Sequence, residues 1–201
     1  MSDKSATLRS AIFAGICIGV AGFGYLAEKS IVGAVTFSFG LLTVVHYGLK
    51  LYTGTAGFIG KRQLPFLATV LAGNIIGCLL VSLMLRCSPL DLQHVAEKIL
   101  RGRLASGPLM CGVLSVGCGM IMTTAVNFAR KGSNLPLFFG VPLFIICGFP
   151  HCVADAFYYL CASLDFWSLH WKEILPLYVA IVCGNFVGCN LYRIIMPELD
   201  K

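Results

Sequence analysis

Long apolar runs separated by short polar punctuation carry most of the information in this chain. Residues 10–27 are apolar and rich in glycine and alanine, and Glu28-Lys29 ends the run. Such small residues suit close helix–helix contact in lipid. A second run covers residues 31–47, and a short amphiphilic piece from Ala56 reaches Lys61-Arg62. Residues 64–85 form a full span of about 20 residues, the length that a bilayer demands. The one extended polar connection is 86–103, where Leu92, Val95 and Ile99 at helical spacing predict a short surface helix. Residues 104–128 span again, and Arg130-Lys131-Gly132-Ser133-Asn134 makes a tight basic turn. A further segment covers 135–161. A loop with Trp167, Trp171, Lys172 and Glu173 then leads to the last span, 174–196. Tryptophans there suit the headgroup belt. The pattern predicts six passes, and the polar start leads into a first span that lacks a cleavage site, so it is read as a span and not as a leader.

Two of the six passes are interrupted. In Leu143-Phe144-Ile145-Ile146-Cys147-Gly148-Phe149-Pro150-His151 an apolar helix meets glycine and proline, and His151 and Asp155 follow inside a window that is still hydrophobic. About a hundred residues earlier, Val44-Val45-His46-Tyr47-Gly48-Leu49-Lys50 repeats the design with a lysine. Glycine and proline free backbone groups that hydrocarbon cannot satisfy, so such breaks survive only where they are buried in protein or line a wet cavity. Taken alone, either stretch fits a kinked helix with a satisfied core side chain. As a pair in corresponding halves, they point to a transport site at mid-membrane.

The halves are related. Gly73-Asn74-Ile75-Ile76-Gly77-Cys78 in the third pass recurs as Gly184-Asn185-Phe186-Val187-Gly188-Cys189 in the sixth. Three passes per half force opposite orientations, so the single transmembrane domain, 1–201, is predicted to be an inverted repeat of about 8–86 and about 104–196. Charge sets the sidedness. Lys4, Arg9, Lys61, Arg62, Arg130, Lys131, Arg193 and Lys201 fall on one side, which the paired basic turns mark as cytoplasmic, with both termini inside. The basic 86–103 connection dissents, either as a cationic mouth for anions or as a solvated surface helix.

Composition narrows the class. The chain is 58% hydrophobic and 12% charged, against roughly 45–50% and 25% for a soluble domain, so it is read as an integral membrane protein. A net charge of +6 would suggest nucleic acid in a soluble protein, but the basic residues lie scattered over short connections as topology requires. No nucleic-acid partner is expected. Most of the ten cysteines sit inside apolar segments and none forms a C-x-x-C pair, so neither a metal nor another cofactor is expected.

Four motifs in order, spread over nearly the whole chain, resemble the formate/nitrite transporter family. They are Phe37-Ser38-Phe39-Gly40-Leu41, then Leu51-Tyr52-Thr53-Gly54, the two Gly-Asn-x-x-Gly elements, and Gly148-Phe149-Pro150-His151 with Ala154. The resemblance implies an all-α fold of aquaporin-like outline whose second and fifth helices are broken, assembled as homopentamers with one pore through each protomer and a lipid-filled central hole. It implies a central histidine, His151, a loop threonine, Thr53, loop apolar residues Leu51 and Tyr52, and dry constrictions at Phe37, Leu41 and Phe144. Physical chemistry supports such a centre. An anion in a narrow apolar pore loses hydration worth several kcal/mol, at the least, unless it is neutralised or given donors. A histidine supplies a proton or a hydrogen bond near physiological pH, and a threonine hydroxyl fixes its orientation.

The chain departs from the family pattern at four positions: Lys50 for an acidic residue, Pro150 for a glutamate, Val116 for an asparagine and Asp155 for an asparagine. A family lysine before the fourth span corresponds to Lys98 or Arg101. A lysine at a helix centre costs about 2.5–3.5 kcal/mol on insertion scales, so Lys50 is expected to snorkel, to pair or to face the pore, with Asp155 the obvious partner for a pair. The function expected is a channel for small monovalent anions or their conjugate acids, formate and nitrite first, then hydrosulfide, acetate and lactate. A neutral-solute channel is the rival, weakened by the lack of an Asn-Pro-Ala pair at the breaks. A membrane enzyme lacks a second titratable cluster on a shared face.

Overall fold

The computed structural model describes residues 4–197, except for the side chain of Lys61, and Lys201 lies outside the described residues. The described elements are all helical: α1 (Lys4–Ala27), α2 (Ile31–His46), α3 (Tyr52–Ala56), a 3-10 turn (Lys61–Gln63), α4 (Leu64–Leu85), α5 (Leu92–Arg130), α6 (Leu135–Ile146), α7 (Cys152–Cys161) and α8 (Leu164–Ile195). Four of them, α1, α4, α5 and α8, are long and apolar enough to cross a membrane. The shorter pairs α2/α3 and α6/α7 are the two interrupted segments. Each break is made in the same way. Gly48 and Gly148 take positive φ, 63° and 67°, a conformation that costs glycine little. The next residue's N–H then reaches back over the helix end, from Leu49 to the Val44 carbonyl and from Phe149 to the Phe144 carbonyl, both at 2.9 Å.

The inverted relation between halves is visible in the packing. α1 lies along α4 and α5 along α8, so closely that a Cβ on Gly77 would overlap the Ile12 carbonyl and one on Gly188 the Val116 carbonyl. Without a hydrophobic driving force in lipid, such backbone-to-backbone approach is what holds helices together. The repeated asparagines complete the match. Asn74, fully buried, accepts the Tyr52 N–H (2.9 Å) and donates to the carbonyls of Ala11 (2.8 Å) and Lys50 (2.9 Å). Asn185 accepts the Cys152 N–H (2.7 Å) and donates to Ser115 (2.9 Å) and Pro150 (3.0 Å). Each amide thus satisfies the backbone freed by a break, which is why a polar side chain is tolerated there.

Two boundaries differ from the sequence reading. The 86–103 connection is helical from Leu92, where Asp91 caps the N-terminus by accepting the His94 N–H, and the helix runs on to a kink at Gly107 (φ 75°) and Pro108. Its Leu92, Ala96 and Leu100 are buried, so this arm is packed against the bundle and is no solvated surface helix. The tryptophan loop is likewise helix. Ser163 caps α8 by accepting the Phe166 N–H, and Trp167 donates from Nε1 to the Tyr159 carbonyl at 2.8 Å.

Candidate functional site

The two breaks bring Thr53 and His151 together. Thr53 lies in the first turn of α3, fully buried, and His151 is the N-cap of α7, 1% exposed. Thr53 Oγ1 and His151 Nε2 are 2.9 Å apart. The other ring nitrogen, Nδ1, accepts the Ala154 N–H at 3.2 Å, so in the neutral ring the proton sits on Nε2 and is donated to Thr53. The Thr53 hydroxyl hydrogen is thereby left to point elsewhere. Phe144 stacks on the imidazole (ring centres 5.6 Å, 23° between planes) and meets Phe37 edge to face at 6.3 Å, both rings buried. A polar pair is thus enclosed by aromatic faces, where a hydrogen bond is strong and an unpaired charge is costly.

A cavity opens on each side of this centre. One, about 370 Å³, includes Leu41, Leu51, Lys50, Gln63 and Arg130 in its lining. The other, about 290 Å³, is lined by Phe144 and His151 together with Tyr25, Arg103, Asp155 and Tyr158. Arg130 ends α5 and Arg103 precedes its kink, so the cavities lie at opposite ends of the roughly 35 Å of helix that follows the kink. Tyr52 is buried beside Thr53, with its hydroxyl donating to the Val182 carbonyl at 3.3 Å, so it braces α3 against α8. Among the described residues, no three histidine, cysteine or acidic side chains converge as a metal-ligand set.

Asp155 does not pair with Lys50. Its Oδ1 accepts from Arg103 Nε at 2.9 Å, and its Oδ2 accepts the His151 backbone N–H at 3.0 Å. Lys50 is exposed at the opposite cavity. The reason is the inversion itself: residues just beyond equivalent breaks face opposite sides of the membrane. Lys98 and Arg101 are also exposed and do not line the 290 Å³ cavity. Arg101 lies 4.0 Å from Glu97, with its guanidinium over Phe166. The cation that lines this cavity is Arg103, which the sequence reading does not single out. Its signal was present, because 92, 96, 99 and 103 fall on one helical face and Arg103 continues the inward stripe.

A helical chain of this topology, with two broken segments meeting at a buried histidine between vestibules, defines a membrane channel or transporter. The formate/nitrite transporter family model matches residues 2–197, and the chain belongs to that family. A Plasmodium malariae formate-nitrite transporter is 23% identical, with 90% of this chain and 70% of that protein covered. The uncharacterized transporter YrhG of Bacillus subtilis is 26% identical over 80% of this chain and 67% of its own length. Among solved structures, a pentameric formate channel with formate bound superposes with a TM-score of 0.84 at 21% identity, covering 98% of this chain and 96% of that one. A second ion channel of the family gives 0.82 at 19% identity, covering 94% and 88%.

Proposed function

We propose that this chain is a six-crossing protomer of a homopentamer, built from repeats at about 8–86 and 104–196, that passes small monovalent anions or their conjugate weak acids through its own pore. Formate and nitrite are the first substrates to test. The observation that carries this reading is the buried Thr53–His151 hydrogen bond between two water-accessible cavities. An anion that leaves either cavity for the aromatic centre loses hydration, and the Nε2–H of the imidazole is placed to give it a hydrogen bond while water in the cavity supplies the proton that neutralises it. Phe37, Leu41 and Phe144 form the narrow walls, with Leu51 and Tyr52 shaping the Thr53 side. Pentamer assembly is supported by the similar formate channel, which is pentameric. The setting is the cytoplasmic membrane, with both termini inside.

A flux panel in proteoliposomes tests the substrate class: formate, nitrite, hydrosulfide and lactate are expected to pass faster than glycerol. Equal passage of glycerol would instead indicate a neutral-solute channel. The wall assignment is tested by Phe144→Ala, which removes the ring stacked on His151. The cavity it opens is expected to admit lactate and propionate several-fold faster relative to formate. An unchanged ratio in a folded variant would remove Phe144 from the constriction.

A further inference from the structure

Arg103 contributes no atom to the Thr53–His151 pair, yet its contacts bridge the break that carries the histidine. Its Nη1 donates to the Gly148 carbonyl, at the end of α6, and its Nε to Asp155 in the first turn of α7. One planar guanidinium therefore staples the two half-helices that the break separates, a geometry that an ammonium group cannot reproduce. The carboxylate continues the chain of contacts, because its second oxygen holds the His151 N–H. The His151 ring in turn accepts the Ala154 N–H, so the cap side chain holds one first-turn N–H while the Asp155 carboxylate holds the cap's own, a variation on the capping box.

The first break is built differently. Leu51 caps α3 with no side-chain hydrogen bond, and at the position a hundred residues before Asp155 stands Thr55, which has no carboxylate to offer. Among the described residues, only the histidine-bearing break has an ionic staple. Replacing a buried ion pair by apolar groups is often neutral for stability, so fixed geometry is a better reason for this pair than stabilisation. The kink at Gly107 and Pro108 turns the arm that brings Arg103 over the break.

We infer that Arg103 is a positioning residue for the channel centre: through Gly148 and Asp155 it fixes the register of α7, and so holds His151 Nε2 against Thr53. The inference rests on the reading of His151 and Thr53 as the conducting centre. A rival role is a simple charge that gathers anions in the vestibule, and a second is an ion pair that merely stabilises the fold.

Arg103→Lys separates these, because it keeps the charge and loses the fork. Positioning predicts that the limiting formate flux of Arg103→Lys falls about tenfold, with half-saturation within about twofold of wild type, and that lysine rescues little relative to Arg103→Gln. A charge lure predicts the reverse: near-normal flux for lysine, and a raised half-saturation for glutamine. A second readout is independent of flux. In protein labelled with 15N-histidine, the His151 ring signals, assigned by their loss in His151→Asn, should report one Nε2-protonated tautomer in wild type and a mixture in Arg103→Lys. Where Arg103→Lys does not assemble, Asp155→Asn, which keeps an acceptor for the His151 N–H but loses the charge, is expected to show the same ring change. Unchanged ring signals in the assembled variants would overturn the inference, including when the melting temperature falls. A wild type that carries no formate, with ring signals that still shift in the variants, would instead sink the transport reading and leave the positioning intact.

Discussion

Asn185→Leu is expected to lower the melting temperature of the purified protein by about 6–12 °C, a shift that corresponds to about 3 kcal/mol in a chain of this size. Leucine keeps the branched heavy-atom skeleton of asparagine but is bulkier, so the polar loss is joined by some overpacking. The substitution strands the Cys152 N–H and the Pro150 carbonyl, both partners of the buried amide at 2.7 and 3.0 Å. An unsatisfied buried group costs about 1–3 kcal/mol. The Ser115 carbonyl should matter less, because it lies within a helix and keeps its ladder bond. Asn74→Leu is expected to behave alike, since it strands the Tyr52 N–H and the Lys50 carbonyl at the other break. Differential scanning measurements in a mild detergent check both variants. Wild-type melting in either would show that the breaks hold without their amides.

His151→Asn is the second large effect, expected on flux and not on stability. Asparagine is a favoured N-cap and can take over the Ala154 N–H, so α7 should keep its start. What is lost is the ring that reaches Thr53 and can carry a proton. Formate uptake is expected to fall at least about tenfold, because an uncompensated 1.4 kcal/mol already gives that factor and desolvation of an ion costs several times more. Wild-type uptake should rise as the external pH falls, because each formate that crosses the centre takes a proton with it, and the variant should lose that response. A variant with wild-type flux and pH response would place the chemistry away from the histidine.

Much of the architecture was legible in the chain, for physical reasons that can be named. Hydrocarbon tolerates a broken helix only under strict conditions, so Gly48 and Gly148 announced the two half-helix pairs, and the repeated Gly-Asn-x-x-Gly elements announced the inversion. The tight α1/α4 and α5/α8 contacts follow from the same glycines. The partner of Asp155 is not legible in the sequence, because residues beside equivalent breaks are not neighbours in space. Inversion puts them on opposite sides, and Lys50 ends at the far vestibule with Arg130. Arg103 was hidden by its company, since Lys98, Arg101 and Arg103 look alike as a basic cluster in a polar connection. Only the helical continuation of Leu92 and Ala96 turns one of them inward.

The central claim is that the permeating anion crosses the aromatic centre neutralised at His151. It is tested most directly by recording internal pH and membrane potential together in proteoliposomes given a sudden formate gradient. The account predicts rapid internal acidification with almost no potential, well above empty liposomes, and loss of the fast phase in His151→Asn. A large formate diffusion potential without acidification, or an unchanged fast phase in the variant, would contradict it.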